Sequence, residues 1–257
     1  MSASTSPNSA PLNPAAPAGA IAARASRALK VGGVAPFSTI DLPGRLSSVV
    51  FVQGCAWNCG YCHNPHLQTR TENSPIEWSR MLDLLERRVG LIDGVVFSGG
   101  EPCIDPALED AIGDVRELGF QVGLHTAGIY TARLENLLPL LDWVGLDIKA
   151  PFEHYERVTG VPDSGRAARR SAEVLLASGV DYELRTTLHP DLLGEADIEH
   201  LALMLAQMGA RNYALQVFRP TGCADAPLNA AALAGYPGPA LLDRIAPFFQ
   251  QFTVRRG

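Results

Sequence analysis

The segment that decides the fold is residues 46–65, LSSVVFVQGCAWNCGYCHNP, where a strand pattern runs directly into three closely spaced cysteines. Residues 46–52 are mostly apolar and β-branched, which is typical of a strand buried on both faces of a parallel sheet. Cys55, Cys59 and Cys62 follow with the spacing C-x3-C-x2-C. Three thiolates in one tight loop can hold three corners of a 4Fe-4S cluster and leave the fourth iron open to an outside ligand.

A zinc site is the alternative interpretation of the same cysteines. Structural zinc takes four ligands, and His63 or His66 could supply the fourth. The strand before the loop and the polar motifs after the later strands favour the iron–sulfur cluster. Tyr61, inside the loop, would then shield the cluster or lie beside a planar ligand.

Length and composition indicate one large α/β domain. The chain has 257 residues, 47% of them hydrophobic, which is enough for a substantial core. Its formal net charge is −6 and it has no basic stripe, so nucleic acid is not an expected partner.

The five cysteines do not suggest a disulfide framework, because their number is odd and Cys103 and Cys223 lie far from the cluster of three. A reducing cytoplasm is the expected compartment. The sequence has no apolar run long enough to cross a membrane and no signal-peptide pattern, so a membrane partner is not expected either.

The chain divides into two parts. Residues 1–28 are rich in Ala, Ser and Pro and are expected to form a disordered tail, whereas residues 29–257 form the domain. In the domain, strands and helices alternate in six units, which predicts a parallel sheet, either as a barrel or as an open sheet. The predicted strands cover residues 46–52, 94–97, 121–125, 143–148, 182–187 and 213–218. The predicted helices cover residues 75–88, 106–118, 131–138, 166–177, 195–208 and 239–249. Residues 221–237 lack periodicity and are expected to form a flexible loop across the rim.

Polar motifs fall at the carboxyl ends of all six predicted strands. Because these ends meet on one rim of a parallel sheet or barrel, the side chains are expected to face one common site. The motifs are the cysteine loop, Ser98-Gly-Gly-Glu101, His125-Thr126, Asp147-Ile-Lys149, Arg185-Thr-Thr187 and residues 216–219.

The cysteine loop together with Ser98-Gly-Gly-Glu-Pro102 resembles the radical S-adenosylmethionine superfamily. Over residues 31–220 the fuller pattern is similar to the glycyl-radical-enzyme activases, and among these most of all to the anaerobic ribonucleoside-triphosphate reductase activating proteins. It consists of Ser38-Thr-Ile-Asp-Leu-Pro-Gly44, Gln53-Gly-Cys-x3-Cys-x2-Cys-His-Asn-Pro65 and Asp147-Ile-Lys-Ala-Pro151. The resemblance implies a partial (β/α)6 TIM-like barrel with a parallel sheet.

The resemblance also implies the chemistry. Cys55, Cys59 and Cys62 would bind a 4Fe-4S cluster, and S-adenosylmethionine would chelate the open iron. Reductive cleavage of this cofactor would give a 5′-deoxyadenosyl radical, which takes the Cα hydrogen of a glycine in a partner glycyl radical enzyme. The expected partner is an anaerobic ribonucleotide reductase, and the expected electron donor is a flavodoxin or a ferredoxin.

Several further residues are expected to contact S-adenosylmethionine. Gly99 and Gly100 lack a Cβ, which permits close backbone approach, and Glu101 would anchor their turn or share the contact. The other candidates are Tyr61, Thr126, Asp147, Lys149 and Arg185. A simple strand-to-helix turn at Gly99-Gly100, an Asp147–Lys149 ion pair and a solvent-exposed Arg185 are the structural alternatives. Lys149 is one of only two lysines in the chain.

The sequence departs from the activase pattern at His125-Thr126-Ala127-Gly128, where Asp-Thr-Asn-Gly is usual. Cys103 stands where a threonine is more common and is expected to be a small buried side chain. Two other functions stay open. One is a radical enzyme acting on a small molecule or peptide, of the 7-carboxy-7-deazaguanine synthase type, and the other is a non-catalytic zinc or iron–sulfur protein.

Overall fold

The computed structural model describes residues 28–256. The expected disordered tail, residues 1–28, therefore lies outside the described residues except for its last position.

One sheet forms the centre of the described chain, and its strands lie side by side in chain order. The eight strands are β1 (Val31–Ser38), β2 (Ser47–Val52), β3 (Gly94–Gly99), β4 (Gln121–Thr126), β5 (Trp143–Asp147), β6 (Asp181–Leu188), β7 (Asn212–Val217) and β8 (Gln251–Arg255).

The longer helices of the described chain bury apolar side chains against the core. In the first of them, Trp78, Met81, Leu82 and Leu85 are buried, which is the spacing of one helix face. The helices are α1 (Trp78–Glu86), α2 (Leu108–Glu117), α3 (Thr131–Leu137), α4 (Glu156–Thr159), α5 (Ser164–Ser178), α6 (Glu195–Gln207), α7 (Ala226–Asn229) and α8 (Pro239–Ile245).

The pairing of the strands confirms the expected partial barrel. Strands β2 to β8 are parallel to their neighbours, whereas β1 runs antiparallel to β2. In the described chain β8 does not pair with β1, so the barrel stays open between them. The six predicted strand–helix units are all present, and β1 and β8 are added at the two edges.

The predicted last helix, residues 239–249, is too long. Helix α8 ends at Ile245 and is followed by a 3-10 turn, Ala246–Phe248, that contains Pro247. A proline in this position has no backbone N–H to continue the helix, so the chain turns and enters β8.

Residues 221–237 are not the simple irregular loop that was expected. They contain the one-turn helix α7, whose N-terminus is capped by Asp225: its Oδ1 accepts a hydrogen bond of 2.9 Å from the backbone N–H of Leu228. Leu228 is buried against the core.

Leu42 fills space inside the barrel. It packs in a small cluster with Val49, Val96 and Trp143, on the face of the sheet opposite to the helices. A Cβ at Gly94 would lie 2.7 Å from Leu42, and one at Gly123 would lie 3.2 Å from it. The two glycines therefore make room for the leucine, which fixes the turn after β1 below the cavity.

Replacing Leu42 with alanine should lower the free energy of unfolding by about 2–5 kcal/mol, because it leaves a hole in a packed cluster. Ile40→Ala, in the same turn, should change it by less than about 0.5 kcal/mol, because Ile40 is 78% exposed. Chemical denaturation of both variants measures the difference. Equal losses of unfolding free energy in the two variants would contradict the packing role of Leu42.

Candidate active site at the open rim

One cavity of about 470 Å³ lies at the carboxyl ends of the strands, a volume typical of a small-molecule site. It brings together ten of the eleven residues predicted for the site: Cys55, Cys59, Tyr61, Cys62, Gly99, Gly100, Thr126, Asp147, Lys149 and Arg185. Glu101 does not line it. The parallel topology thus gathers side chains that are more than a hundred residues apart in the chain.

The three cysteines are free thiols that are partly buried at the cavity wall. Burial raises the pKa of Cys55 to about 11, and the negative charge of Glu101 adds to that effect. Burial also raises the pKa of Cys59, which the nearby Lys149 opposes. Without a bound cation these two thiols stay protonated at neutral pH, so a metal centre would have to displace their protons on binding.

Backbone hydrogen bonds close the base of the cysteine loop. The N–H of Gly54 donates to the carbonyl of Leu67 at 2.7 Å, and the N–H of Cys55 donates to that of Gln68 at 3.0 Å. The carbonyl of Gly54 accepts from the N–H of Glu101 at 2.7 Å. The loop is therefore joined to the end of β3 at the point where it leaves β2.

The first half of the loop is held by the chain that follows β5. The Trp57 ring meets Tyr155 edge-on with centroids 5.6 Å apart, and the N–H of Asn58 donates to the carbonyl of Thr159 at 3.0 Å. Trp57 is 4% exposed. It packs the loop onto the protein.

The second half of the loop is held by the segment that follows β7. Nε2 of His63 donates to the carbonyl of Arg219 at 2.9 Å, and its ring stacks on Phe218 at 5.6 Å. The Cys223 Sγ lies 3.5 Å from the carbonyl of Gly60. A Cβ at Gly222 would lie 2.5 Å from the His63 carbonyl. We call residues 218–229 the clasp.

The contact between His63 and the clasp affects the alternative interpretation of a zinc site, in which His63 or His66 would be the fourth ligand. His63 uses Nε2 for the Arg219 carbonyl, and His66 is exposed on the outside of the loop. Within residues 28–256, no group of three or more His, Cys, Asp or Glu side chains is arranged to hold a single metal ion. In this arrangement neither histidine completes a four-ligand zinc site with the three thiols.

Gly99 and Gly100 are required by the packing of the chain itself. A Cβ at Gly99 would lie 2.4 Å from the backbone N and O of Val52, and one at Gly100 would lie 2.3 Å from the carbonyl of Gly54. Gly99 also has a φ of +124°, which favours glycine. Their missing side chains let the end of β3 meet the base of the cysteine loop, and leave their backbone facing the cavity.

Glu101 lies beneath the cavity floor and is fully buried. Its carboxylate accepts hydrogen bonds from Thr126 Oγ1 at 2.7 Å, from the N–H of Ala127 at 2.8 Å and from the N–H of Cys103 at 3.0 Å. Burial raises its pKa, and these three donors oppose the shift. Of the two roles predicted for Glu101, the structure supports the anchor of the turn. Cys103 is buried, as expected.

Asp147 joins the two basic side chains of the site. One carboxylate oxygen lies 3.0 Å from Nη2 of Arg185, and the other lies 3.7 Å from Nζ of Lys149. Burial favours a higher pKa for Asp147, but Arg185 and Lys149 outweigh it and hold the pKa below its usual value. Arg185 is 8% exposed, so the alternative of a solvent-exposed arginine is wrong. The predicted Asp147–Lys149 ion pair is present.

His125 lies at the inner end of the cavity. Its Nε2 is 3.0 Å from the backbone carbonyl of Asp41 and 3.2 Å from Nη1 of Arg185, and its ring meets Trp143 edge-on. Burial, reinforced by the positive charge of Arg185, lowers the pKa of His125 to about 3. The imidazole is therefore neutral at physiological pH, where the activase pattern would place an aspartate.

Several cavity residues carried no predicted role, among them Ile40, Asp41, Gln68, Arg255 and Arg256. Asp41 belongs to the Ser38–Gly44 motif, which was part of the resemblance to the activases but did not predict that Asp41 lies in the cavity. Arg255 is the last residue of β8 and Arg256 follows it. The alternating pattern of residues 251–255 is the signal that would have found that strand.

A family comparison decides the class of this site. The model of the radical SAM superfamily matches residues 49–205, which include the cysteine loop and the strand ends as far as β6. The chain belongs to the radical SAM superfamily. Members of this superfamily use a 4Fe-4S cluster and S-adenosylmethionine, and the chain is a radical SAM enzyme by descent.

Two relatives carry names of activating enzymes. A Methanocaldococcus jannaschii protein, provisionally named as a glycyl-radical enzyme activating enzyme, is 30% identical over 207 residues, which cover 76% of this chain and 82% of that protein. The pyruvate formate-lyase-activating enzyme of Clostridium pasteurianum is 33% identical over 137 residues, which cover 51% of this chain and 57% of the relative.

A solved structure supports the fold over nearly the whole chain. QueE from Escherichia coli superposes with a TM-score of 0.52 at 17% identity, covering 90% of this chain and 94% of that one. At this identity the likeness concerns the fold. No helix among residues 28–256 has the length and hydrophobicity to cross a bilayer.

Two glycines of the 221–237 segment test the clasp. Both have a positive φ, but a Cβ at Gly222 would strike the His63 carbonyl, whereas one at Gly235 would meet nothing within 4 Å. Gly235→Ala should cost about 1–2 kcal/mol of stability from backbone strain, and Gly222→Ala should cost more. Amide hydrogen exchange of residues 59–63 should accelerate in Gly222→Ala only. Equal exchange in the two variants would contradict the clasp.

Proposed function

We propose that this chain activates a glycyl radical enzyme. Cys55, Cys59 and Cys62 hold a 4Fe-4S cluster, and the carboxyl ends of β3 to β6, which line the same cavity, bind S-adenosylmethionine. The observation that carries the proposal is the single cavity in which three free thiols face the polar ends of parallel strands. Residues 29–257 act as one catalytic domain.

The donor set fits the cluster. Three free thiols on one loop can each bind one iron of a 4Fe-4S cluster and leave the fourth iron open to the cavity that they line. The loop is fastened at its base and on both halves, so the positions of the thiols are set before metal binds. When bound, the cluster and S-adenosylmethionine supply a carbon-centred radical that can take a hydrogen atom from a substrate.

The protein's own residues would bind and orient S-adenosylmethionine. Gly99 and Gly100 present backbone groups to it, and Tyr61 borders the cavity with Lys149 Nζ 5.5 Å from its ring centre. Lys149 and Arg185 share one carboxylate, so together they retain positive charge for the carboxylate of the cofactor. Asp147 holds both in place, and Thr126 contributes mainly through its bond to Glu101.

We propose an anaerobic ribonucleoside-triphosphate reductase as the partner, with reduction by a flavodoxin or ferredoxin. The support is the three-part pattern of residues 38–44, 53–65 and 147–151. Pyruvate formate-lyase is the second candidate, because relatives that bear the name of its activating enzyme match about half of this chain.

The proposal is tested with anaerobically reconstituted and reduced protein. The wild type should form 5′-deoxyadenosine from S-adenosylmethionine, and Cys59→Ala should lose at least about 99% of this activity because the cluster loses a ligand. Cys103→Ala is the matched control, since it removes a buried thiol that does not line the cavity, and it should retain activity.

The partner is identified in the same assay. Adding the anaerobic reductase should produce a glycyl radical signal in electron paramagnetic resonance, and adding pyruvate formate-lyase should not. A glycyl radical signal with pyruvate formate-lyase only would show that pyruvate formate-lyase, and not the reductase, is the partner. Deoxyadenosine without either signal would favour a small-molecule or peptide substrate, as in the 7-carboxy-7-deazaguanine synthase type. No deoxyadenosine from protein with a full cluster would refute the enzymatic assignment.

A further inference from the structure

We propose that the side chains of Arg219 and Arg256, which line the cavity after the ends of β7 and β8, bind carboxylates of an acidic polypeptide segment. The proposal rests on the proposed function in taking the partner to be a protein. It assigns a specificity site to residues that lie outside the family match, which ends at residue 205.

The charge of the cavity is the first observation. Among the described residues that line it, five carry Lys or Arg side chains and two carry Asp: Lys149, Arg185, Arg219, Arg255 and Arg256 against Asp41 and Asp147. The chain as a whole has a net charge of −6. The cavity therefore concentrates positive charge against the trend of the protein, as binding sites for anionic partners do.

The partners of the three rim arginines show which of them remain available. Arg255 is neutralised by Glu183 in a two-pronged ion pair of 2.7 and 2.8 Å. Arg256 donates to the backbone carbonyls of Tyr236 and Pro237, at 2.8 and 3.2 Å, so its guanidinium is held in place without a counter-charge. The side chain of Arg219 is exposed and forms no hydrogen bond or ion pair with the described residues, although its charge acts on the neighbouring His63.

The rim arginines are not among the main charged neighbours of Cys55 and Cys59. Those neighbours are Glu101, Lys149 and Asp147, together with the other loop cysteines. The charge of Arg219 acts on His63, and that of Arg255 acts on His125. The rim arginines therefore share the cavity with the cysteines without being the groups that chiefly balance the charge of these two thiols.

The opening of the barrel admits a polypeptide at this place. Arg255 ends β8 and Arg256 follows it. The outer edge of this strand is unpaired in the described chain, and the exposed Ile40 lines the same cavity. Arg255 pairs in register with Gln216, and Arg219 follows the end of the same strand, β7, and lines the cavity as well. An extended segment can lie along a free strand edge, and guanidinium groups bind carboxylates with paired hydrogen bonds.

The test compares two fluorescein-labelled peptide amides, Ala-Glu-Ala-Gly-Ala-Glu-Ala and its counterpart with Gln in place of Glu. Binding to the reconstituted full-length enzyme with S-adenosylmethionine is measured by fluorescence anisotropy. The Glu peptide should bind about tenfold more tightly, as expected for one charge-assisted contact. Arg219→Gln and Arg256→Gln should each reduce the preference to about threefold or less.

The matched control is Arg244→Gln, because Arg244 pairs with Glu199 on the helices and does not line the cavity. It should keep the full preference. All variants should keep the wild-type rate of deoxyadenosine formation without partner, which separates a substrate site from a cofactor site. Since the Arg219 side chain is exposed and meets His63 only through the backbone carbonyl in the hydrogen bond described above, Arg219→Gln should also fold normally.

Equal affinity for the two peptides, no binding of either, or an undiminished preference in both variants would overturn the proposal. A weakened affinity for S-adenosylmethionine in Arg219→Gln would overturn it as well, by placing that arginine on the cofactor. The outcome is separable from the proposed function. A preference for the Glu peptide without a glycyl radical signal would support the arginine site and contradict the proposed partner. A glycyl radical signal without a preference for the Glu peptide would contradict only the arginine site.

Discussion

The backbone hydrogen bonds of Gly54 are the constraint on which the site depends. Its N–H closes the cysteine loop on Leu67, and its carbonyl accepts from Glu101 at the end of β3. The close approach of the two strand ends is possible because Gly99 and Gly100 lack a Cβ. A loop of three cysteines would otherwise have no fixed relation to the rim, and the thiols would not face the remaining polar strand ends.

Buried polar groups carry this constraint from strand to strand. Glu101 joins β3 to β4 through Thr126 and the backbone of Ala127, and Asp147 joins β5 to β6 through Arg185. Each carboxylate costs desolvation, which is offset only because its oxygens are met by several donors or by charge. The result is a rim whose polar side chains are oriented before any ligand arrives.

Much of this arrangement could be predicted from the sequence. The six strand–helix units follow from long, regular hydrophobic patterns, and the shared rim follows from parallel topology. Strand β8 was missed because its five residues come almost directly after the predicted last helix. Pro247 is the signal that marks the true end of that helix. The clasp could not be foreseen, since it consists of contacts between residues 60–63 and 218–229 in a segment without periodicity. The sequence marked Arg185 and Asp147 as candidates but did not show that they pair, because their ion pair depends on the register of β5 against β6.

Mössbauer spectroscopy of protein reconstituted with 57Fe tests the central claim, that the three cysteines hold a cluster whose fourth iron faces the cavity. Three thiolate ligands leave one iron chemically different from the others. We expect S-adenosylmethionine to change the signal of about a quarter of the iron and to leave the rest unchanged. A spectrum that does not respond to S-adenosylmethionine, or a protein that binds one zinc ion in place of the cluster, would contradict it.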